Sequence, residues 1–193
     1  QINEMIDLKK SGKNVNKVSV FFRDLVSKKW FGIDQNEKYA PASLLKLPML
    51  IAYFKLEEIN PDLFSTKYIF KKADPRFDQS FEPKIQLKEG QEYTIEELLR
   101  QMIIGSDNSA MDFLMEIMDQ NFMERQYYDL GITFNSDAED YLSPIIYSNI
   151  IRMLYNSSYL ARDSSQKILE WLSESDFADG LVAGVPSQIA VAH

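Results

Sequence analysis

The sequence predicts an α+β protein, with a β-hairpin near the N-terminus followed by helices that fill most of the second half. Three observations lead there. "KVSVFFRDL" (17–25) and "KKWFGIDQ" (28–35) are rich in β-branched and aromatic residues with a few polar residues between them, the pattern of an antiparallel hairpin. "ASLLKLPMLIAYFKLEEI" (42–59) is long and apolar on most sides, as a buried helix is. "YTIEELLRQMI" (93–103) opens with Thr94 and carries Glu97 three residues on, a capping box.

In chain order, residues 2–9 read as a short helix ahead of the hairpin. In the 42–59 helix Pro48 falls within the first two turns, where a missing N–H is tolerated. Residues 60–92, with Pro61, Pro75, Pro83 and Gly90, read as irregular. After the capped helix, "GSDNSAMDFLMEIM" (105–118) starts another beyond a turn, and a further helix ends before Gly131, a suitable C-terminal cap. "LSPIIYSNIIRMLY" (142–155) offers Ser143 as N-cap and Pro144 at the first helical position. "RDSSQKILEWLSES" (162–175) is the last helix. With no internal repeat and no low-complexity linker, the expected organisation is one domain over 1–193. Residues 1–40 supply a helix and the hairpin of a sheet lobe, and 41–180 a helical lobe packed beside it.

Composition narrows the chemistry. A hydrophobic fraction of 45% and an aromatic fraction of 12% fit a globular chain able to bury a sizeable core. A net charge of −8 argues against a nucleic-acid or anionic-membrane partner, and the lysine pairs are scattered. The absence of cysteine excludes thiol catalysis, disulfides and thiolate metal sites, so neither metal nor cofactor is expected. The one histidine, His193, reads as a strand-flanking residue; without others, histidine triads and HExxH zinc sites are excluded. No apolar run approaches the roughly 18–20 residues of a membrane span.

A serine nucleophile in such a chain must recruit lysine or a carboxylate as its base. Ser43 and Lys46 are i and i+3 at the start of the apolar helix, so their side chains share a face. There the backbone N–H groups lack intrahelical partners and can serve an oxyanion, while apolar burial lowers an amine's pKa toward neutrality. Spacing alone is weak evidence, since Ser-x-x-Lys is expected about once by chance in a chain of this size. A second copy, Ser164 to Lys167, opens an amphipathic helix and reads as structural, with Asp163 or Ser164 as N-cap and Lys167 pointing to water. Ser106-Asp107-Asn108 sits in a turn before a helix, where Ser106 or Asp107 can cap. The Ser106 hydroxyl can also relay a proton and the Asn108 amide bind a carbonyl.

Together "YAPASLLKLPM" and "YTIEELLRQMIIGSDNSAMDFLM" resemble the serine penicillin-recognising enzymes, closest to class A β-lactamases and their D,D-peptidase relatives, whose motifs include S-x-x-K, S-D-N and K-T-G. The resemblance runs from about residue 17 to the end. It implies a β-lactamase-type α+β fold, Ser43 as acylated nucleophile, Lys46 as base or proton relay, Ser106 as proton shuttle and Asn108 as substrate ligand, with Asp107 structural. The implied activity is opening of β-lactam rings. The alternatives are a D,D-carboxypeptidase or transpeptidase acting on D-Ala-D-Ala peptides, and a penicillin-binding sensor that is acylated without turnover. An extracytoplasmic location behind a signal sequence is also implied.

Two departures stand out. Class A enzymes carry a deacylating glutamate in an E-x-x-L-N-like stretch, whereas the gap from Gly131 to Pro144, "GITFNSDAEDYLSP", has only Asp137, Glu139 and Asp140. Each reads first as a solvated loop charge, and Glu139 is the candidate replacement base. K-T-G is also missing, because the sequence stops at "SQIAVAH". The expectation is that the parent protein continues beyond His193 into the K-T-G strand, further strands and a terminal helix, leaving the hairpin as the part of the sheet present here.

Overall fold

The computed structural model describes residues 2–12, 15–71, 82–133, 140–177, 182–186 and 188–192. In chain order the elements are α1 (Ile2–Ser11), β1 (Val20–Arg23), β2 (Trp30–Ile33), a 3₁₀ turn (Ala42–Leu45), α2 (Lys46–Glu57), a second 3₁₀ turn (Leu63–Ser65), β3 (Lys67–Ile69) and β4 (Glu92–Thr94). The helices α3 (Ile95–Ile104), α4 (Asn108–Ile117), α5 (Gln120–Asp129), α6 (Pro144–Tyr155) and α7 (Arg162–Ser173) follow, then a 3₁₀ turn (Val182–Gly184). The α+β class read from the sequence is the class found. The chain divides into two compact units.

The first unit comprises Gln1–Pro41 and Phe134–Arg152. Its hairpin pairs β1 and β2 antiparallel, with Phe22 opposite Phe31 and Arg23 opposite Trp30. Asp24 fastens the turn by accepting hydrogen bonds from the Val26 and Ser27 N–H groups. Phe22 and Phe31 stack at 5.5 Å, yet Phe22, Trp30 and Phe31 are 52%, 58% and 40% exposed. Aromatic side chains this open on both faces of a paired hairpin, Phe22 and Phe31 on one and Trp30 on the other, are unusual. Arg23 Nη1 donates to Asn149 Oδ1 at 3.0 Å, and Tyr39 bridges to Leu142 just ahead of α6.

The second unit, Ala42–Thr133 and Met153–His193, is built around α2. Every residue from Lys46 to Phe54 is buried, and α3, α5 and α7 pack against this helix. Phe54 meets Phe64 and Trp171 edge-on at 4.9 and 5.4 Å. Each such apolar side chain contributes about 1.5–3 kcal/mol on burial. Tyr53 is buried too, and its hydroxyl donates to the Leu114 carbonyl at 2.7 Å, which ties α2 to α4. The Thr94–Glu97 capping box forms as expected, with Glu97 N–H donating to Thr94 Oγ1 at 3.2 Å and Thr94 N–H to Glu97 Oε2 at 2.7 Å. Gly131, at φ +82°, ends α5 in the left-handed conformation that glycine adopts without strain.

Four local expectations change. Within residues 60–92, read as irregular, β3 and β4 pair antiparallel with Tyr68 opposite Tyr93. Three-residue strands on an exposed surface leave no hydrophobic alternation to read. Ser43 lies in the 3₁₀ turn, and α2 proper begins at Lys46. The N-cap of α7 is Ala161, not Asp163 or Ser164: its N–H donates to Glu58 Oε1 at 2.7 Å, so a tertiary contact does the work of a capping side chain. Lys167 does not simply face water, because it lies over the Trp171 and Phe64 rings and pairs with Glu96 at 2.7 Å.

Candidate active site

The site is assembled from two chain reversals. The 3₁₀ turn presents Ser43 at the surface and leads directly into α2, whose first residue, Lys46, is only 2% exposed. The α3–α4 connection brings in Ser106-Asp107-Asn108. There the Asp107 N–H donates to the Gln101 carbonyl at 3.2 Å, and Asp107 Oδ1 accepts from Ser109 and Ala110 N–H at 2.7 and 3.1 Å. Asp107 is therefore the N-cap of α4 and a structural residue. The turn is tight at Gly105, where a Cβ would stand 3.1 Å from both the Gln101 carbonyl oxygen and Pro83 Cβ. The Asp176 N–H closes the end of α3 by donating to the Ile104 carbonyl at 2.9 Å, and Lys84 pairs with the Asp176 carboxylate at 2.6 Å.

Four of the predicted residues meet at one atom. Lys46 Nζ is 2.6 Å from the Ser106 carbonyl oxygen, 2.7 Å from Asn108 Oδ1, 2.9 Å from Ser106 Oγ and 3.3 Å from Ser43 Oγ. The two shortest contacts are to oxygens that can only accept. A neutral amine has two N–H donors and one lone pair, so filling those acceptors leaves the lone pair for the two hydroxyls. Burial draws the Lys46 pKa down from 10.5 to about 8, against the upward pull of Asp107 and Asp112. An amine shifted this far is still mostly protonated near physiological pH but keeps a usable neutral fraction, which an unshifted lysine lacks. Ser106 Oγ also lies 3.5 Å from Ser43 Oγ, which closes a triangle of three proton-carrying groups.

Two non-glycine residues in the cluster occupy left-handed backbone, Ala42 at φ +46° and Ser106 at φ +51°. Such positions cost of order 1–3 kcal/mol each and collect where function dictates geometry. The left-handed turn at Ser106 lets its carbonyl and hydroxyl face the same ammonium. Nothing in residue type announced either strained position. Asp112, which acts on Lys46 from α4, was also overlooked; its i+4 spacing from Asn108 was the available signal. Glu139 and Asp137 lie outside the described residues. Asp140 is exposed, as a solvated loop charge would be.

The model of the Beta-lactamase enzyme family matches residues 1–193. The chain belongs to this family. It is 25% identical over 167 residues to a β-lactamase of Citrobacter koseri, an alignment covering 78% of this chain and 56% of that protein. The chain thus spans a little over half the length of the curated relative it matches. Among solved structures, the chromosome-encoded β-lactamase of Vibrio parahaemolyticus superposes with a TM-score of 0.81 at 16% identity, covering 100% of this chain and 78% of that one. A PBP-A mutant, solved as its acyl-enzyme complex with penicillin G, gives 0.74 at 17% identity, covering 94% and 72%. At these identities the structures establish a shared β-lactamase fold, the one implied by the paired motifs. No described helix is long and apolar enough to cross a membrane.

Proposed function

We propose that this β-lactamase-family chain carries the acylation half-site of a serine hydrolase that opens β-lactam rings. The observation that carries the reading is the convergence of Ser43, Ser106 and Asn108 on the buried Lys46 amine. Ser43 Oγ attacks the lactam carbonyl carbon while its proton passes to the Lys46 lone pair, directly or by way of Ser106. The ring C–N bond then breaks, Ser106 protonates the departing nitrogen, and the Lys46 ammonium reprotonates Ser106. The Asn108 amide binds the substrate beside the scissile bond. Backbone N–H groups at the head of the 3₁₀ turn, unused within it, are suited to the oxyanion. Water finally hydrolyses the ester.

Mass spectrometry of the protein with a penicillin over time tests this reading. One adduct mass on the peptide containing Ser43, absent from Ser43→Ala, is expected; labelling at Ser164 would overturn it. Because the gap before Pro144 lacks the family's glutamate motif, deacylation is expected to be slower than in a typical class A enzyme. Rapid turnover of a chromogenic cephalosporin would contradict that, and its selective loss in Glu139→Gln would identify Glu139 as the replacement base. The same missing motif favours a second reading, a D,D-peptidase acting on D-Ala-D-Ala peptides of peptidoglycan, for which a long-lived penicillin adduct with peptide turnover is the signature. A stable adduct with no peptide turnover would instead mark a sensor domain.

The reading also calls for a K-T-G strand and its neighbours from a segment beyond His193. It is supported by the exposed aromatic side chains of the hairpin and by the fraction of the relatives' length that the chain spans. The gene sequence downstream of codon 193 tests it: a stop codon there, with the 193-residue product active alone, would refute it. A β-lactam or peptidoglycan-peptide substrate, met outside the cytoplasm, supports an extracytoplasmic location for the protein.

A further inference from the structure

We infer that Asp176 and Lys84 are positioning residues for Ser106: they form a clasp across the α3–α4 turn that holds the Ser106 hydroxyl and carbonyl on Lys46. The inference rests on the acyl-transfer reading of that cluster. Ser106 stands where a helix exit ordinarily places glycine, in left-handed backbone at φ +51°. For a residue with a side chain that conformation is strained, and it persists only where the surroundings impose it. Here it sets the Ser106 carbonyl and hydroxyl oxygens 2.6 and 2.9 Å from Lys46 Nζ. The turn's own bond, from the Asp107 N–H to the Gln101 carbonyl, is 3.2 Å, at the long end of the usual range.

Two other segments brace this turn. Beyond the end of α7, the Asp176 N–H donates to the Ile104 carbonyl at 2.9 Å. That carbonyl is among the last four of α3, which have no partner inside the helix. Ahead of β4, Pro83 stands against Gly105, where an added Cβ would come to 3.1 Å from the proline Cβ. The next residue, Lys84, reaches Asp176 Oδ1 at 2.6 Å. The ion pair thus joins the two braces to each other beside Ile104 and Gly105, the residues that lead into Ser106. The Asp176 side chain is 17% exposed and that of Lys84 72%, so the clasp is anchored at Asp176 and closed from the solvent side. An ion pair this exposed adds little to the stability of a whole fold. The opening of a single turn is governed by free energies of that small size, and a strained turn is the place where they count.

The decisive experiment compares Lys84→Met, Asp176→Asn and the charge-exchanged pair Lys84→Asp with Asp176→Lys against the unsubstituted chain. Penicillin acylation kinetics and amide hydrogen exchange by NMR are the two readouts. Each single variant should lower the first-order acylation constant about two- to fivefold while the dissociation constant of penicillin before acylation stays unchanged. The charge-exchanged pair should recover most of that loss; if it does not fold, the exposed Lys84→Met decides the matter. The Asp107 N–H should exchange faster in the single variants while the α2 amides keep their protection. Weaker penicillin binding with an unmoved acylation constant, or protection lost throughout α2, marks a merely structural role and would overturn the inference. If the unsubstituted chain is not acylated, faster Asp107 exchange in Lys84→Met still supports the clasp and removes only the acyl-enzyme reading. Unchanged Asp107 exchange in both single variants removes the clasp, whether or not the chain is acylated.

Discussion

The chain contains the same four-residue spacing twice, with opposite outcomes. At Ser43 and Lys46 the serine is exposed, the lysine is sealed beneath it, and the amine is surrounded by hydroxyl and carbonyl oxygens of a second chain reversal. At Ser164 and Lys167 the lysine lies along aromatic rings with its charge met by Glu96, both partners about 40% exposed. The first environment penalises the charged form of lysine; the second accommodates it through cation–π contact and an ion pair. Ser-x-x-Lys spacing brings two side chains to one helix face, and nothing more. Desolvation by the fold, together with acceptors from elsewhere, gives one copy the lowered pKa and the serine contact on which its proposed role as a base rests.

Exchange of single residues at the two copies sharpens this contrast. The largest effect is expected at the serines: Ser43→Ala abolishes covalent labelling by a penicillin, whereas Ser164→Ala labels like the unsubstituted protein. At the lysines, Lys46→Ala slows acylation by roughly 10²–10⁴-fold, the range for loss of a general base, and Lys167→Ala leaves the rate within about twofold. Stopped-flow acylation kinetics measure both. A Lys46 effect below tenfold would erase the functional difference between the copies.

The pH profile tests the electrostatic part of the contrast. Lys46 accepts a proton only as the neutral amine, and its pKa is held near about 8, so acylation should rise with pH and level off above that value. Below it the rate should fall about tenfold per pH unit. A profile flat from pH 6 to 9 would mean that proton transfer from Ser43 is not limited by Lys46.

Smaller effects concern what holds each copy in place. Tyr53→Phe removes the donor that ties α2 to the Leu114 carbonyl, which keeps its bond from the Met118 N–H, at a cost of roughly 0.5–1.5 kcal/mol in urea unfolding. No loss of stability would show that this tie is not needed to hold α2. Lys167→Ala removes a half-exposed ion pair and its ring contacts, and should cost less than about 1 kcal/mol. A larger loss there would mean that the second copy is built into the core after all.

By itself the sequence determined the α+β class, the hairpin, the order and approximate limits of the helices, the Thr94–Glu97 cap and the Gly131 stop. These depend on residue type and local spacing, which backbone sterics and apolar periodicity translate directly into structure. It also supplied Ser43, Lys46, Ser106 and Asn108 as candidates, through paired motifs that resemble a known family. Tertiary structure alone decided that these four meet at one nitrogen atom, that Ala42 and Ser106 take left-handed backbone, that Glu58 caps α7, and that β3 finds β4 across an irregular stretch. Each of these joins residues distant in sequence or is imposed by packing against the wishes of a single residue, and the energy that pays for it comes from the core around α2, which no local pattern encodes.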